Sequence, residues 1–175
     1  MGSVILYKEG EIILKTLIIY SSSHGTTEKA AQILSEQLQG EVELINLKKL
    51  SNPKLTNYDS VIIGSSIYAG STKSRVKQFL KQNQAELLSK GLGLFLCCMF
   101  EGDKAVSQFE ATYSKELRDH SRAKGLFGGE FLISKMNFLE RQIVKKVAGV
   151  TSDVSQLNLN EIRLFAEKFN QAVTP

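Results

Sequence analysis

The sequence is poor in most features that would take it outside the ordinary globular classes. It has no apolar run near the ~20 residues needed to cross a bilayer. A secretory leader is not expected, because Lys8, Glu9 and Glu11 fall inside what would have to be its apolar core. Residues 1–14 read instead as an extension, strand-like or irregular, ahead of the first core strand. Only two cysteines occur, Cys97 and Cys98, and neighbours in a strand point to opposite faces. Adjacent thiols exclude a disulfide framework, and no CxxC or Cys/His metal spacing is present, so a reducing cytoplasm is the expected compartment and no metal is expected. Only two prolines interrupt the chain, and internal repeats and low-complexity tracts are missing. The net charge of +4 is mild and the lysines are scattered, without the concentrated basic face that nucleic acid requires.

What is present is a regular alternation. Short apolar runs rich in β-branched residues mark strands at Thr16–Tyr20, Val42–Asn46, Ser60–Gly64, Leu92–Met99 and Leu126–Ile133. Between and after them, apolar residues at helical spacing predict helices over Thr27–Gln39, Ser74–Ser89, Ala105–His120 and Leu159–Val173. Strict alternation implies right-handed βαβ crossovers and a parallel sheet covered on both faces, a doubly wound α/β domain over residues 15–175. In such sheets ligands collect outside the carboxyl ends of the strands. Three connections are therefore candidates: Ser21–Thr27, Ser65–Ser71 and about Met99–Lys104.

The first of these lacks charge. Five of the seven residues from Ser21 to Thr27 carry hydroxyls, and none is Lys or Arg. A Walker loop needs a lysine after its glycine, whereas Gly25 is followed by Thr-Thr-Glu; the dinucleotide fingerprint GxGxxG is also missing. What remains is a nest of hydroxyls and amides at a helix start, with Gly25 permitting close backbone approach. That arrangement suits a single phosphate, although a plain N-cap with Glu28 in the first turn is the competing reading. The second connection, "GSSIYAGS", carries Tyr68 between small residues, suited to stacking on a planar ring. The third, "CCMFEGDK", offers Met99 and Phe100 as apolar walls. A monophosphate loop beside a stacking aromatic points to a phosphorylated planar cofactor, and FMN fits.

The stretch "IIYSSSHGTTEKAA" resembles the phosphate loop of the flavodoxin family, and "YDSVIIGSSIYAGS" is similar to the segment whose aromatic flanks the isoalloxazine in that family. The resemblance implies a three-layer flavodoxin-like sandwich with a five-stranded parallel sheet in the order 2-1-3-4-5. It also implies FMN binding through Ser22, Ser23, His24, Gly25, Thr26 and Thr27, through Ser65, Ser66, Ile67, Tyr68, Ala69 and Gly70, and through Cys98, Met99, Phe100 and Glu101. His24 stands where the family usually has Thr. Within the family the chain looks most like the quinone-dependent protoporphyrinogen oxidases. They share the IGxSIxxG form of the second loop and carry a basic amphipathic insertion before the final helix.

Here that insertion is Ser134–Asn158. Lys135, Arg141, Lys145 and Lys146 stand against Glu140, with Met136, Leu139, Ile143, Val147 and Val150 on one face. Its apolar side is expected to pack on the domain as an ordinary surface helix. The competing reading is a peripheral contact with an anionic membrane through residues 135–147. The expected activity is that of an FMN oxidoreductase passing electrons from a small redox substrate, such as a tetrapyrrole, to a quinone. The alternative is a flavodoxin carrier without substrate chemistry, against which a net charge of +4 argues, since carriers of the family are usually strongly acidic. No side chain is read as a general acid or base.

Overall fold

A computed structural model of the chain describes residues 7–8, 11–68 and 71–171. Five parallel strands form its centre: β1 (Lys15–Tyr20), β2 (Glu41–Asn46), β3 (Ser60–Tyr68), β4 (Gly91–Cys97) and β5 (Ala123–Leu126). Their spatial order is β2-β1-β3-β4-β5, a doubly wound flavodoxin-like sheet whose winding reverses beside β1. Six helices are described: α1 (Thr26–Ser35), α2 (Ser74–Leu87), α3 (Gly102–Thr112), α4 (Lys115–His120), α5 (Phe138–Ala148) and α6 (Leu159–Gln171). Ahead of the sheet, Tyr7–Lys8 and Glu11–Ile12 pair as antiparallel strands.

The period of two along each strand divides the core. From β1, Leu17 and Ile19 enter the cluster under α2, α3 and α4, while Ile18 and Tyr20 enter the one under α1 and α6. Cys97 and Cys98 separate in the same way, as their adjacency predicts. On the α1/α6 side the rings of Phe95 and Phe127 stack at 4.6 Å, and Phe165 meets Phe127 edge-on at 5.4 Å. Small residues on the strands make room for these rings. A Cβ on Gly64 would stand 2.1 Å from the Phe95 ring, and one on Gly125 would stand 2.4 Å from that of Phe127.

Several expected boundaries move, each for a local reason. Strand β3 does not stop at Gly64, which is a packing glycine within the sheet. Ser65 and Ser66 continue the ladder opposite Leu96 and Cys97, and Ile67 and Tyr68 fold back on Ser71 and Thr72. The second expected loop is therefore largely strand, and Ala69 and Gly70 lie outside the described residues. The last strand is Ala123–Leu126, not Leu126–Ile133. It alternates buried and exposed positions, with Lys124 outward, and so lacks the continuous apolar signature. After it the chain leaves the sheet, and Glu130–Phe131 pairs antiparallel with Val154–Ser155, closing the base of the insertion.

The expected helix over Ala105–His120 breaks at Tyr113. That residue is extended, and Ser114 caps α4 by accepting the Leu117 amide at 3.4 Å. The break drives the Tyr113 phenol under the sheet, fully buried, with the carbonyls of Phe95 at 2.6 Å and Ile63 at 3.1 Å as acceptors. Helix α1 ends at Ser35, short of the expected Gln39, and the end of the expected Leu159–Val173 helix lies outside the described residues.

The largest departure is α5. Its apolar stripe does not pack on the domain: no residue of the helix is buried, and Phe138 and Val147 are each 77% exposed. The sequence pattern reported an amphipathic helix but not which surface would cover it. Met136, just before the helix, is the buried member of the expected stripe.

Candidate functional site

A parallel sheet gathers every strand-to-helix connection at one edge, so residues following β1, β3, β4 and β5 meet there. They form a cleft lined by Ser22, Ser23, His24, Thr26 and Thr27 from the first connection. Ser66, Ile67 and Lys73 come from the second, and Cys97, Cys98 and Met99 from the third. The segment after β5 adds Gly129, Glu130 and Phe131, and the insertion closes the cleft with Met136, Glu140, Ile143 and Val144.

The first connection is built as its composition suggests. Gly25 adopts φ 103°, in the left-handed region that disfavours other residues, and stands immediately before α1. No side chain caps the helix. Ser22 does not aim its hydroxyl at a helix amide; its Oγ accepts the Gly25 amide at 3.0 Å and shapes the loop. Ser23 is exposed and His24 half-buried. Tyr20, at the end of β1, donates to Glu28 at 2.9 Å, and burial together with that carboxylate pushes its phenol well up.

Two hydroxyls are left over. Thr27 Oγ1 and Ser65 Oγ are buried and make no hydrogen bond. The Cys97 thiol lies beside Thr27 but is a weak partner. Burial raises both Cys97 and Cys98 above the usual thiol range, so neither offers a thiolate. Buried hydroxyls without partners are uncommon; Thr27 lines the cleft on the α1 side, whereas Ser65 lies on the other face of the sheet with Ile63.

Not every expected residue reaches the cleft. Ser65 stands behind its wall, within the ladder. Tyr68 ends β3, with its backbone paired to Ser71; the expectation for its ring lies outside the described residues. Phe100 and Glu101 lie outside the lining; Phe100 is 43% exposed beneath the Lys104 ammonium, 4.4 Å from the ring centroid.

Charges that the sequence reading left out come from other elements. Lys73, just before α2, lines the cleft; burial and Lys48 lower its ammonium, while Glu140 pulls the other way. The Lys135 Nζ stands 3.5 Å from where a Gly25 Cβ would be, over the loop after β1. Glu140 Oε2 lies 3.4 Å from His24 Nε2 and accepts the Asn137 amide at 2.9 Å, closing the capping box of α5. Glu130 accepts from Lys29 at 2.9 Å and Ser155 at 2.7 Å. Burial pushes its carboxyl up, but Lys29, Ser155 and Thr26 outweigh burial and hold it below the usual range. One signal bears on Lys135 and Glu140 alone: the insertion that carries them follows β5 and must start at the ligand edge. Among the described residues no cluster of His, Cys, Asp and Glu could hold a metal ion, and no helix is long and apolar enough to cross a membrane.

Comparison with known proteins is consistent with this geometry. A family model described as "Flavodoxin domain" matches residues 17–158. The chain is 33% identical over 79 residues to the protoporphyrinogen IX dehydrogenase (quinone) of Escherichia coli strain K12, covering 43% of the chain and 44% of that protein. The chain thus spans less than half the length of this relative. With the Leishmania major protein of the same name, identity is 25% over 171 residues, covering 89% of the chain and 74% of the relative. The oxidised Flavodoxin 1 of Bacillus cereus superposes with a TM-score of 0.59 at 18% identity, covering 91% of the chain and 99% of that structure, a likeness of fold.

Proposed function

The chain belongs to the flavodoxin domain family, and we propose that it is an FMN oxidoreductase, taking electrons from a reduced tetrapyrrole of the protoporphyrinogen type and passing them to a quinone. The observation that carries the cofactor is the buried, unpartnered hydroxyl of Thr27, which lines the cleft beside a left-handed Gly25 at an uncapped helix start. A phosphate supplies acceptors for such a donor, and the positive end of α1, equivalent to about half a unit charge, favours it. The residues present therefore fit a flavin monophosphate.

When bound, FMN supplies reversible electron transfer. The chain's contribution is to bind and shelter it. Thr27 and the first amides of α1 hold the phosphate, with Gly25 allowing close approach. Ile67, Met99, Phe131 and Val144 supply apolar walls that exclude water from the cleft. Lys73 and Lys135 contribute positive charge near the phosphate loop. The names of the Escherichia coli and Leishmania major relatives support the tetrapyrrole-to-quinone activity. The net charge of +4 argues against the alternative, a carrier steered to basic partners.

FMN-loaded protein mixed with protoporphyrinogen and a menaquinone is expected to generate fluorescent porphyrin above the uncatalysed rate. No acceleration with several quinones, from protein that binds FMN, would move the assignment to a carrier. The exposed apolar face of α5, flanked by Lys135, Arg141, Lys145 and Lys146, favours a second reading about location: contact with an anionic lipid surface, where quinone resides. Sedimentation with phosphatidylglycerol vesicles, lost in Phe138→Ser/Val147→Ser and weak with phosphatidylcholine, is the expected result. Equal sedimentation of the variant would contradict it.

A further inference from the structure

The phosphate loop carries no cation of its own, and the insertion brings both signs of charge to it. Lys135 Nζ lies over Gly25, while the Glu140 carboxylate approaches from the first turn of α5, next to His24. Glu140 is held, with its side chain only 19% exposed, on a helix none of whose residues is buried. We propose that Glu140 is a built-in stand-in for the ligand's phosphate: it closes the loop in the ligand-free chain and gives way when a phosphate arrives, leaving Lys135 and Lys73 to face the new anion. The inference rests on the FMN reading and concerns which residues set its affinity.

Like-charge repulsion is the first reason. Glu140 Oε2 lies 3.4 Å from His24 Nε2, at the loop that takes the phosphate, so an arriving phosphate dianion would stand against a carboxylate. Moving Glu140 out removes that repulsion. Glu130 is the less suitable carboxylate to move, since Lys29 and Ser155 both bind it and its side chain is 3% exposed. Ease of movement is the second reason. Helix α5 has no buried residue to strip from a core, and Asn137 Oδ1 still caps the Glu140 amide at 3.0 Å when the carboxylate swings away.

The experiment is a fluorescence titration of ligand-free protein with FMN and, in parallel, with riboflavin, which lacks the phosphate. Glu140→Gln keeps the size and an acceptor oxygen for the Asn137 amide but removes the charge. It is expected to tighten FMN binding by about tenfold while changing riboflavin by less than about twofold, and the gain should shrink as salt rises. Lys135→Gln is expected to weaken FMN binding by a similar factor, again sparing riboflavin. Thermal unfolding of the ligand-free variants checks that each is folded. Unchanged FMN affinity in Glu140→Gln, or equal changes for both flavins, overturns the inference while leaving the FMN reading in place. A wild-type chain that binds neither flavin overturns the FMN reading itself, and the inference with it.

Discussion

Thr27→Val separates a site from a structural cap, because the two roles give effects of opposite sign. Thr27 is 1% exposed, and its Oγ1 makes no hydrogen bond. A buried hydroxyl left unpaired costs about 1–3 kcal/mol in proteins. Replacing it with a methyl of similar size removes that penalty, although the fit is imperfect. The ligand-free variant should therefore gain about 1 kcal/mol and melt about 2–4 °C higher. FMN binding should move the other way. One hydrogen bond to a charged phosphate is worth about 1.5–3 kcal/mol, so affinity should fall by roughly 10–150-fold. Riboflavin, without the phosphate, should bind almost as before. The assays are thermal unfolding without ligand and titration with both flavins. A lower melting temperature together with undiminished FMN affinity would refute the reasoning, since it would make Thr27 a structural residue whose hydroxyl stabilises the fold.

Three further outcomes test the scaffold around the site. Tyr113→Phe removes the donor shared by the buried carbonyls of Phe95 and Ile63, and should destabilise by about 1–2 kcal/mol, a fall of about 2–8 °C in melting temperature. Gly64→Ala forces a Cβ into the Phe95 ring and should cost about 1–3 kcal/mol or more; Phe95→Leu should cost less in that background than alone, as a double-mutant cycle would measure. The Glu130 carboxyl is held below its ordinary value of 4.5. Its contribution is therefore fully present above that pH and lost as pH falls through the lower folded value. Glu130→Gln should flatten the acid limb of the stability curve, and an unchanged limb in denaturant titrations from pH 5 to about 3 would count against the Lys29 and Ser155 contacts.

How much of this was legible in the chain differs element by element. Strands β1, β3 and β4 announce themselves because both faces are buried, giving continuous apolar runs whose type is unmistakable. The edge strand β5 was misplaced because a half-exposed strand alternates, and the apolar Leu126–Phe127 and Phe131–Leu132 beside it drew the assignment. Gly64 reads as a stop in one dimension and proves to be a seat for a ring from the next strand. The break at Tyr113 is local chemistry, a serine cap, hidden under an apolar spacing that continues through it. The loop after β1 was readable as a polar nest at a helix start because its hydroxyls are contiguous. Lys73, Lys135 and Glu140 were not, since they reach the loop from distant elements. The exposure of the apolar face of α5 was not readable either: an amphipathic pattern specifies a face, and only the tertiary structure specifies what meets it.

The central claim is that the loop after β1 holds the phosphate of a flavin. Equilibrium titration of the ligand-free chain with FMN, with riboflavin and inorganic phosphate as competitors, tests it most directly. The account predicts saturable quenching of flavin fluorescence at one FMN per chain, with FMN bound much more tightly than riboflavin and displaced by excess phosphate. Absence of quenching, or equal affinity for FMN and riboflavin, would contradict it.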